Sequence, residues 1–158
     1  MSQTGPVTLR KVEPADLGIF YAQQLDPEAN RMAAFVTPRD QAAFTAHWEK
    51  ILGSAQNTNR TIVADGQVAG YIACFPLGGT LHVAYWLGRE FWGKGIATRA
   101  LELLLRLVTV RPIAAQVAAD NHGSLRILQK CGFKITGTDK GFAQGRGEET
   151  EEYLLQLD

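Results

Sequence analysis

The sequence predicts a single mixed α/β domain whose sheet is mostly antiparallel with one parallel pair, flanked by helices. Three observations carry this expectation. With 158 residues, 46% of them hydrophobic and 20% charged, the chain can bury a core without metal or disulfide staples, so residues 1–158 are expected to form one domain. Asp65-Gly66 stands between two β-rich runs, the pattern of a tight antiparallel hairpin. Farther on, a strand-like run, an amphipathic run and a second strand-like run follow in succession, which implies a right-handed crossover between parallel strands.

Residues 8–12 alternate weakly and read as a first strand. Pro14 opens a helical segment at 15–25, with Leu17, Phe20, Tyr21 and Gln24 at helical spacing and Asp26-Pro27 as its stop. Thr37-Pro38 has the form of an N-cap followed by proline at the first helical position, leading a helix at 40–52 with Phe44, Trp48, Ile51 and Leu52 on one side and Gly53 as its end. Runs 61–64 and 68–75 are the hairpin strands, and 81–87 is a third strand of the meander. The helix at 96–108 places Ala97, Leu101, Leu104 and Val108 on its apolar side and Thr98, Glu102 and Arg106 opposite. Residues 112–118 are small, apolar and β-branched, as in a buried strand. A short helix at 122–131 stops at Gly132, and strands follow at 133–138 and 150–157. The glycine-rich segment 139–148 between them is expected to be a mobile hairpin loop.

Sixteen basic residues balance sixteen acidic ones, leaving no net charge to draw nucleic acid or a membrane surface in bulk. Residues 1–20 hold Arg10, Lys11, Glu13 and Asp16 without a continuous apolar run, so no signal peptide is expected. The longest apolar-rich stretch, 96–110, is interrupted by Arg99, Glu102 and Arg106 and is too short to span a bilayer. A cytoplasmic location is the resulting expectation. Cys74 and Cys131 lie far apart without Cys-x-x-Cys company, and His47, His82 and His122 are scattered, so no metal site is read.

The chemistry is concentrated after the meander. Tyr85-Trp86-Leu87-Gly88-Arg89-Glu90-Phe91-Trp92-Gly93-Lys94-Gly95-Ile96-Ala97-Thr98 is a strand, a loop with glycines at 93 and 95, and a helix start with no acid in its first turn. Unpaired backbone N–H groups and the positive end of the helix dipole suit a phosphate or pyrophosphate there, although the glycines by themselves also serve a tight strand-to-helix turn. Gly88 through Gly93-Lys94 fits the spacing of a Walker A loop, but Gly95 stands where a magnesium-binding Ser or Thr belongs. A dinucleotide fingerprint needs a third glycine where Thr98 stands and an acid about 20 residues on, in a stretch that holds none.

Glu90-Phe91-Trp92-Gly93-Lys94-Gly95-Ile96-Ala97 instead resembles the Gln/Arg-x-x-Gly-x-Gly/Ala motif of the GCN5-related N-acetyltransferase (GNAT) superfamily, with Glu90 departing from the leading Gln/Arg. Asn121-His122-Gly123-Ser124-Leu125-Arg126-Ile127-Leu128-Gln129-Lys130-Cys131-Gly132-Phe133 resembles the family's Asn-x-x-Ser, short helix, Gly-Phe signature. Leu25-Asp26-Pro27-Glu28-Ala29-Asn30 and Phe44-x-x-His47-Trp48 are similar to the subgroup of ribosomal-protein N-terminal acetyltransferases.

The resemblance implies the GNAT fold, with a central sheet of about six to seven strands, a splayed parallel central pair and about four flanking helices. It also implies acetyl-CoA as co-substrate, no metal, and transfer of the acetyl group to a primary amine of a small molecule or peptide by direct attack in a ternary complex. The backbone of Tyr85, Trp86 and Leu87 is expected to pair with the pantetheine amides as an added strand would. Trp92, Gly93, Lys94, Gly95, Ile96, Ala97 and Thr98 are expected to hold the pyrophosphate, and Asn121, Ser124 and Leu128 to line the pantetheine arm.

Asn121 also reads as a helix N-cap with Ser124 at the third helical position. Many relatives carry a tyrosine as general acid where Leu128 stands; Leu128 has no proton to give, which leaves Ser124 or a water. An ammonium must lose a proton before it attacks a thioester. His82 occupies the place on the fourth strand where relatives often have a glutamate, and it equally reads as a solvent-facing strand histidine; Glu148, Glu149, Glu151 and Glu152 are the alternative bases. Trp48, Phe35, Tyr85 and Phe142 are expected to shape the acceptor pocket. A coenzyme A-binding sensor without significant turnover is the alternative reading, and oligomeric state, a homodimer included, stays open.

Overall fold

The computed structural model describes residues 6–28, 40–143 and 148–158, with backbone alone for 141–143 and 148. Strand β1 (Val7–Lys11) leads through Glu13 into helix α1 (Pro14–Gln24). Proline takes the first helical turn, where its missing N–H costs nothing, and Asp16 closes a capping box by accepting from the Glu13 amide at 2.8 Å. Helix α2 (Gln41–Leu52) is capped by Asp40, whose Oδ1 accepts from the Ala42 amide at 2.9 Å. Asp40 therefore does the work expected of Thr37, which with Pro38, Ala29, Asn30 and Phe35 lies outside the described residues.

Strands β2 (Thr58–Ala64), β3 (Gln67–Leu77) and β4 (Thr80–Leu87) form the expected meander. Asp65 and Gly66 both have positive φ, 51° and 77°, as the tight turn between β2 and β3 requires. A short 3-10 turn (Arg89–Phe91) precedes helix α3 (Ile96–Leu107), and strand β5 (Ile113–Ala118) and helix α4 (His122–Lys130) follow. Gly132, at φ 97°, ends the α4 region in the left-handed conformation that glycine tolerates. Strands β6 (Lys134–Ala143) and β7 (Glu148–Leu157) complete a seven-stranded sheet in the order β1-β2-β3-β4-β5-β7-β6.

The expected loop at 139–148 is a correction. Residues 139–143 continue β6, and the ladder runs from Asp139 opposite Glu152 to Ala143 opposite Glu148. Pairing with the neighbouring strand satisfies backbone groups that a solvated loop would leave to water, and Lys140 Nζ meets Glu149 Oε1 at 3.1 Å across the ladder.

Two apolar clusters clamp the sheet. On one face, Ile96, Ala100, Leu101 and Leu104 of α3 and Leu128 of α4 pack against Ile72, Val83, Ile113, Ala115, Val117 and Leu155. Full burial of each large aliphatic side chain contributes about 1.5–3 kcal/mol, and this cluster seats α3 and α4 on the sheet. On the other face, Leu17, Phe20, Phe44 and Trp48 join Tyr71, with the Trp48 and Tyr71 rings edge-on at 4.7 Å. Trp48 is thus a core side chain rather than a wall of the acceptor pocket. Among the described residues no helix is long and apolar enough to cross a membrane.

Candidate active site

Strands β4 and β5 are the parallel pair, and their ladder pairs only Leu81 with Ile113 and His82 with Ala114. Each is then held by its outer neighbour: β4 stays paired to β3 as far as Leu87, and β5 to β7 as far as Ala118. The inner ladder ends while the outer ones continue, so the two strands open into a cleft of about 680 Å³.

Tyr85, Trp86 and Leu87 line one wall, and Trp92, Gly93, Gly95, Ile96, Ala97 and Thr98 line the rim; Asn121, Ser124 and Leu128 stand opposite. Lys94 is on the same loop but outside the lining. The two sequence motifs, separated by an entire helix and strand, therefore face one space.

The backbone of β4 presents its groups alternately. Gly88 N–H donates to the Ala69 carbonyl at 2.9 Å, and the Trp86 carbonyl sits over Gly70, where an added Cβ would approach it to 1.9 Å. Trp86 therefore turns its backbone carbonyl toward β3, and by alternation Tyr85 and Leu87 turn their backbone groups toward the cleft. The expectation that Trp86 joins a ligand ladder through its backbone is corrected by this register. Leu87 O accepts from Trp92 Nε1 at 3.1 Å, which ties the rim loop to the end of β4 and leaves that carbonyl a second lone pair.

At the rim, Gly93 and Gly95 have φ of 73° and 78°, and no atom lies within 4 Å of where a Cβ would stand on either. The first turn of α3 closes with Arg99 N–H on the Gly95 carbonyl at 3.1 Å, so the amides of Ile96, Ala97 and Thr98 precede the helical ladder. Gly95 supplies no side-chain cap and no acid occupies the first turn, so donors and dipole together face an open space that fits an anion.

Across the cleft, Asn121 Oδ1 accepts from the Ser124 amide at 3.3 Å, the N-cap read from the sequence. This cap seats the Ser124 hydroxyl on the first turn of α4, 2.7 Å from the hydroxyl of Tyr85 on β4. Burial pushes the Tyr85 phenol up to about 12, with the Ser124 hydrogen bond opposing only part of that rise. Leu128 is 2% exposed and belongs to the core as well as the wall. Burial likewise raises the thiols of Cys74 and Cys131, which keeps both protonated, and Cys131 Sγ donates weakly to the Thr98 carbonyl at 3.8 Å.

His82 is not brought to the cleft. It sits where β4 and β5 are still paired, its ring stacked on Phe75 at 6.3 Å. Of the acidic alternatives, Glu152 lies opposite Ala118 at the open end of the gap and lines the cleft, the one carboxylate among the described lining residues. Glu149 and Glu151 are exposed, and the side chains of Glu148 and Phe142 lie outside the described residues. Arg126, Lys130 and Gln116 also line the cleft without having been singled out. The four-residue spacing of Arg126 and Lys130 on one helix face was the signal available for two of them.

A family model described as an acetyltransferase (GNAT) domain matches residues 7–134. An uncharacterized N-acetyltransferase, p20 of Bacillus licheniformis, is 23% identical over 98% of this chain and 93% of its own length. Among solved structures, a ribosomal-protein-alanine N-acetyltransferase from Brucella melitensis superposes with a TM-score of 0.80 at 23% identity, covering 95% of this chain and 98% of that one. A spermidine N-acetyltransferase from Vibrio cholerae, in complex with CoA and spermine, also reaches 0.80, at 16% identity and 95% of each chain.

Proposed function

The chain belongs to the GNAT acetyltransferase family and is an acetyl-CoA-dependent N-acetyltransferase; on that premise we propose that a primary amine attacks the thioester directly, within the cleft between β4 and β5. The observation that carries this reading is the early end of the β4–β5 ladder, after which both motif segments line one cleft. The amides at the start of α3 hold the pyrophosphate, and the open space at Gly93 and Gly95 admits its oxygens to contact with the backbone. Tyr85 and Leu87 offer their cleft-facing backbone groups to the pantetheine amides.

The acceptor enters as a small-molecule or peptide amine. Its nitrogen gives up a proton to Glu152, directly or through one water, and attacks the acetyl carbon. The C–N bond forms and the C–S bond breaks, with Ser124 beside the sulfur. No covalent enzyme intermediate is needed, and the protonated state of both cysteines disfavours one.

Thiol release followed with a panel of amines tests this. Release should require acetyl-CoA and an amine together, whereas binding of acetyl-CoA with no release from any amine returns the chain to a sensor role. Glu152→Gln should lower kcat at neutral pH by tenfold or more, with a deficit that shrinks as pH rises and the amine deprotonates unaided. His82→Ala should keep the wild-type pH profile; the reverse pattern makes His82 the base.

A further inference from the structure

The departing sulfur needs a hydrogen-bond donor as negative charge builds on it, and the cleft lining offers hydroxyls beside the amides of Gln116 and Asn121 and the cations Arg126 and Lys130. Hydroxyl groups on its lining belong to Tyr71, Tyr85, Thr98 and Ser124. Tyr71 packs its ring into the aromatic cluster and engages Gln24 through its hydroxyl, and Thr98 belongs to the anion rim. Tyr85 and Ser124 remain, on opposite walls and 2.7 Å apart.

We propose that Tyr85 is a positioning residue for the acetyl transfer: its phenol donates to Ser124 Oγ, which turns the serine's own proton toward the departing sulfur. This rests on the transferase reading above. Three features support the direction of the bond. A phenol whose pKa is pushed up to about 12 keeps its proton across the working range. The Ser124 backbone is held by its amide on Asn121 Oδ1 and its Oγ lies 2.7 Å from the phenol, so the rotation of the hydroxyl proton is what remains to settle. A hydroxyl oxygen that accepts a hydrogen bond becomes a better donor through its own proton, the cooperative strengthening expected of a hydrogen-bonded chain that starts from a largely buried phenol.

Neither hydroxyl gives its proton away. A serine alkoxide is far too basic to form here, and a Tyr85 phenolate is disfavoured by the burial that raises its pKa. The chain Tyr85 to Ser124 to sulfur therefore stabilises the thiolate as a pair of hydrogen bonds. The thiolate then takes its proton from solvent, matching the proton the amine nitrogen passed to Glu152 or water. Leu128, buried in the wall of α4, offers no donor, and Tyr85 reaches the same space from β4.

The test uses the full chain with Tyr85→Phe, Ser124→Ala and the double variant. The thiol of bound coenzyme A is titrated by its thiolate ultraviolet absorbance, a readout independent of turnover. Its pKa should rise in Tyr85→Phe and in Ser124→Ala relative to wild type. Tyr85→Phe should also lose about tenfold in kcat with KM for acetyl-CoA within about twofold, and the double variant should be no slower than Ser124→Ala alone. A bound-thiol pKa unmoved in Tyr85→Phe, or kcat losses that multiply in the double variant, overturns the proposal. Should Tyr85→Phe fail to fold, an unmoved thiol pKa in Ser124→Ala overturns it equally. Absence of turnover with every amine would instead count against the transferase reading, and the thiol titration still decides the Tyr85–Ser124 chain.

Discussion

At Gly95 two demands meet in one residue: the backbone stands at φ 78°, and the space a side chain would fill is open to the cleft. The first makes any substitution strained, and the second makes it an obstacle to an anion. Gly95→Asp should therefore lose on both counts. We expect stability to fall by about 1 kcal/mol from the left-handed backbone. Affinity for acetyl-CoA should fall at least about tenfold, about 1.4 kcal/mol, from crowding and like charge. Urea unfolding and calorimetry read the two separately. The strand-loop-helix pattern exposed the glycine as a contact position, but its φ, and with it the folding cost, is a property of the folded loop. A folded variant with wild-type affinity would falsify the anion site.

The corner between β1 and α1 is an element-scale device that leaves the chemistry alone and holds the sheet. Asp16 is 2% exposed and accepts from Arg10 through both terminal nitrogens at 2.7 and 2.9 Å, from the Glu13 amide at 2.8 Å and from Thr61 Oγ1 at 2.7 Å. Burial alone would raise its pKa, but these donors, Arg10 first, outweigh it and hold the carboxyl below its ordinary value. A depressed folded-state pKa means that the contribution is present above the unfolded-state value and is lost as pH falls through the folded-state value. Stability should therefore drop in the acid range below the usual aspartate pKa. Asp16→Ala should cost about 3 kcal/mol at neutral pH and flatten that acid limb in urea titrations. Asp16 was legible only as one of several acids near the start; its four donors come from β1, the α1 cap and β2, and only the fold assembles them.

For the whole molecule, the cleft exists only when β4 is held by β3 and β5 by β7. A ligand seated there binds the folded chain alone and stabilises it by mass action. Acetyl-CoA at a hundredfold excess over its dissociation constant should add about 2.7 kcal/mol, read as a raised Tm. ATP, which lacks the pantetheine arm proposed to pair with β4, should do far less. Equal shifts with both would place the binding energy in the phosphates alone.

Local chemistry was written in the sequence itself. Hydrophobic pattern and residue type indicated strand or helix for the main elements, the 3-10 turn at Arg89–Phe91 and the outer half of β6 excepted; Asp65-Gly66 marked a tight turn and Asn121 with Ser124 a helix cap, because each depends on residues within a few positions of one another. The resemblance of the glycine loop and the Asn-x-x-Ser segment to family motifs implied one shared site, and the fold lines a single cleft with both. Tertiary structure alone decided what faced what. It continued β6 through 139–143, turned the Trp86 carbonyl toward β3, kept His82 in the paired end of the gap and buried Trp48. It also brought Tyr85 against Ser124 and, among the described glutamate side chains of the last strand, placed Glu152 on the cleft. Each of these depends on strand register and on where a ladder ends, and register is set by partners distant in sequence.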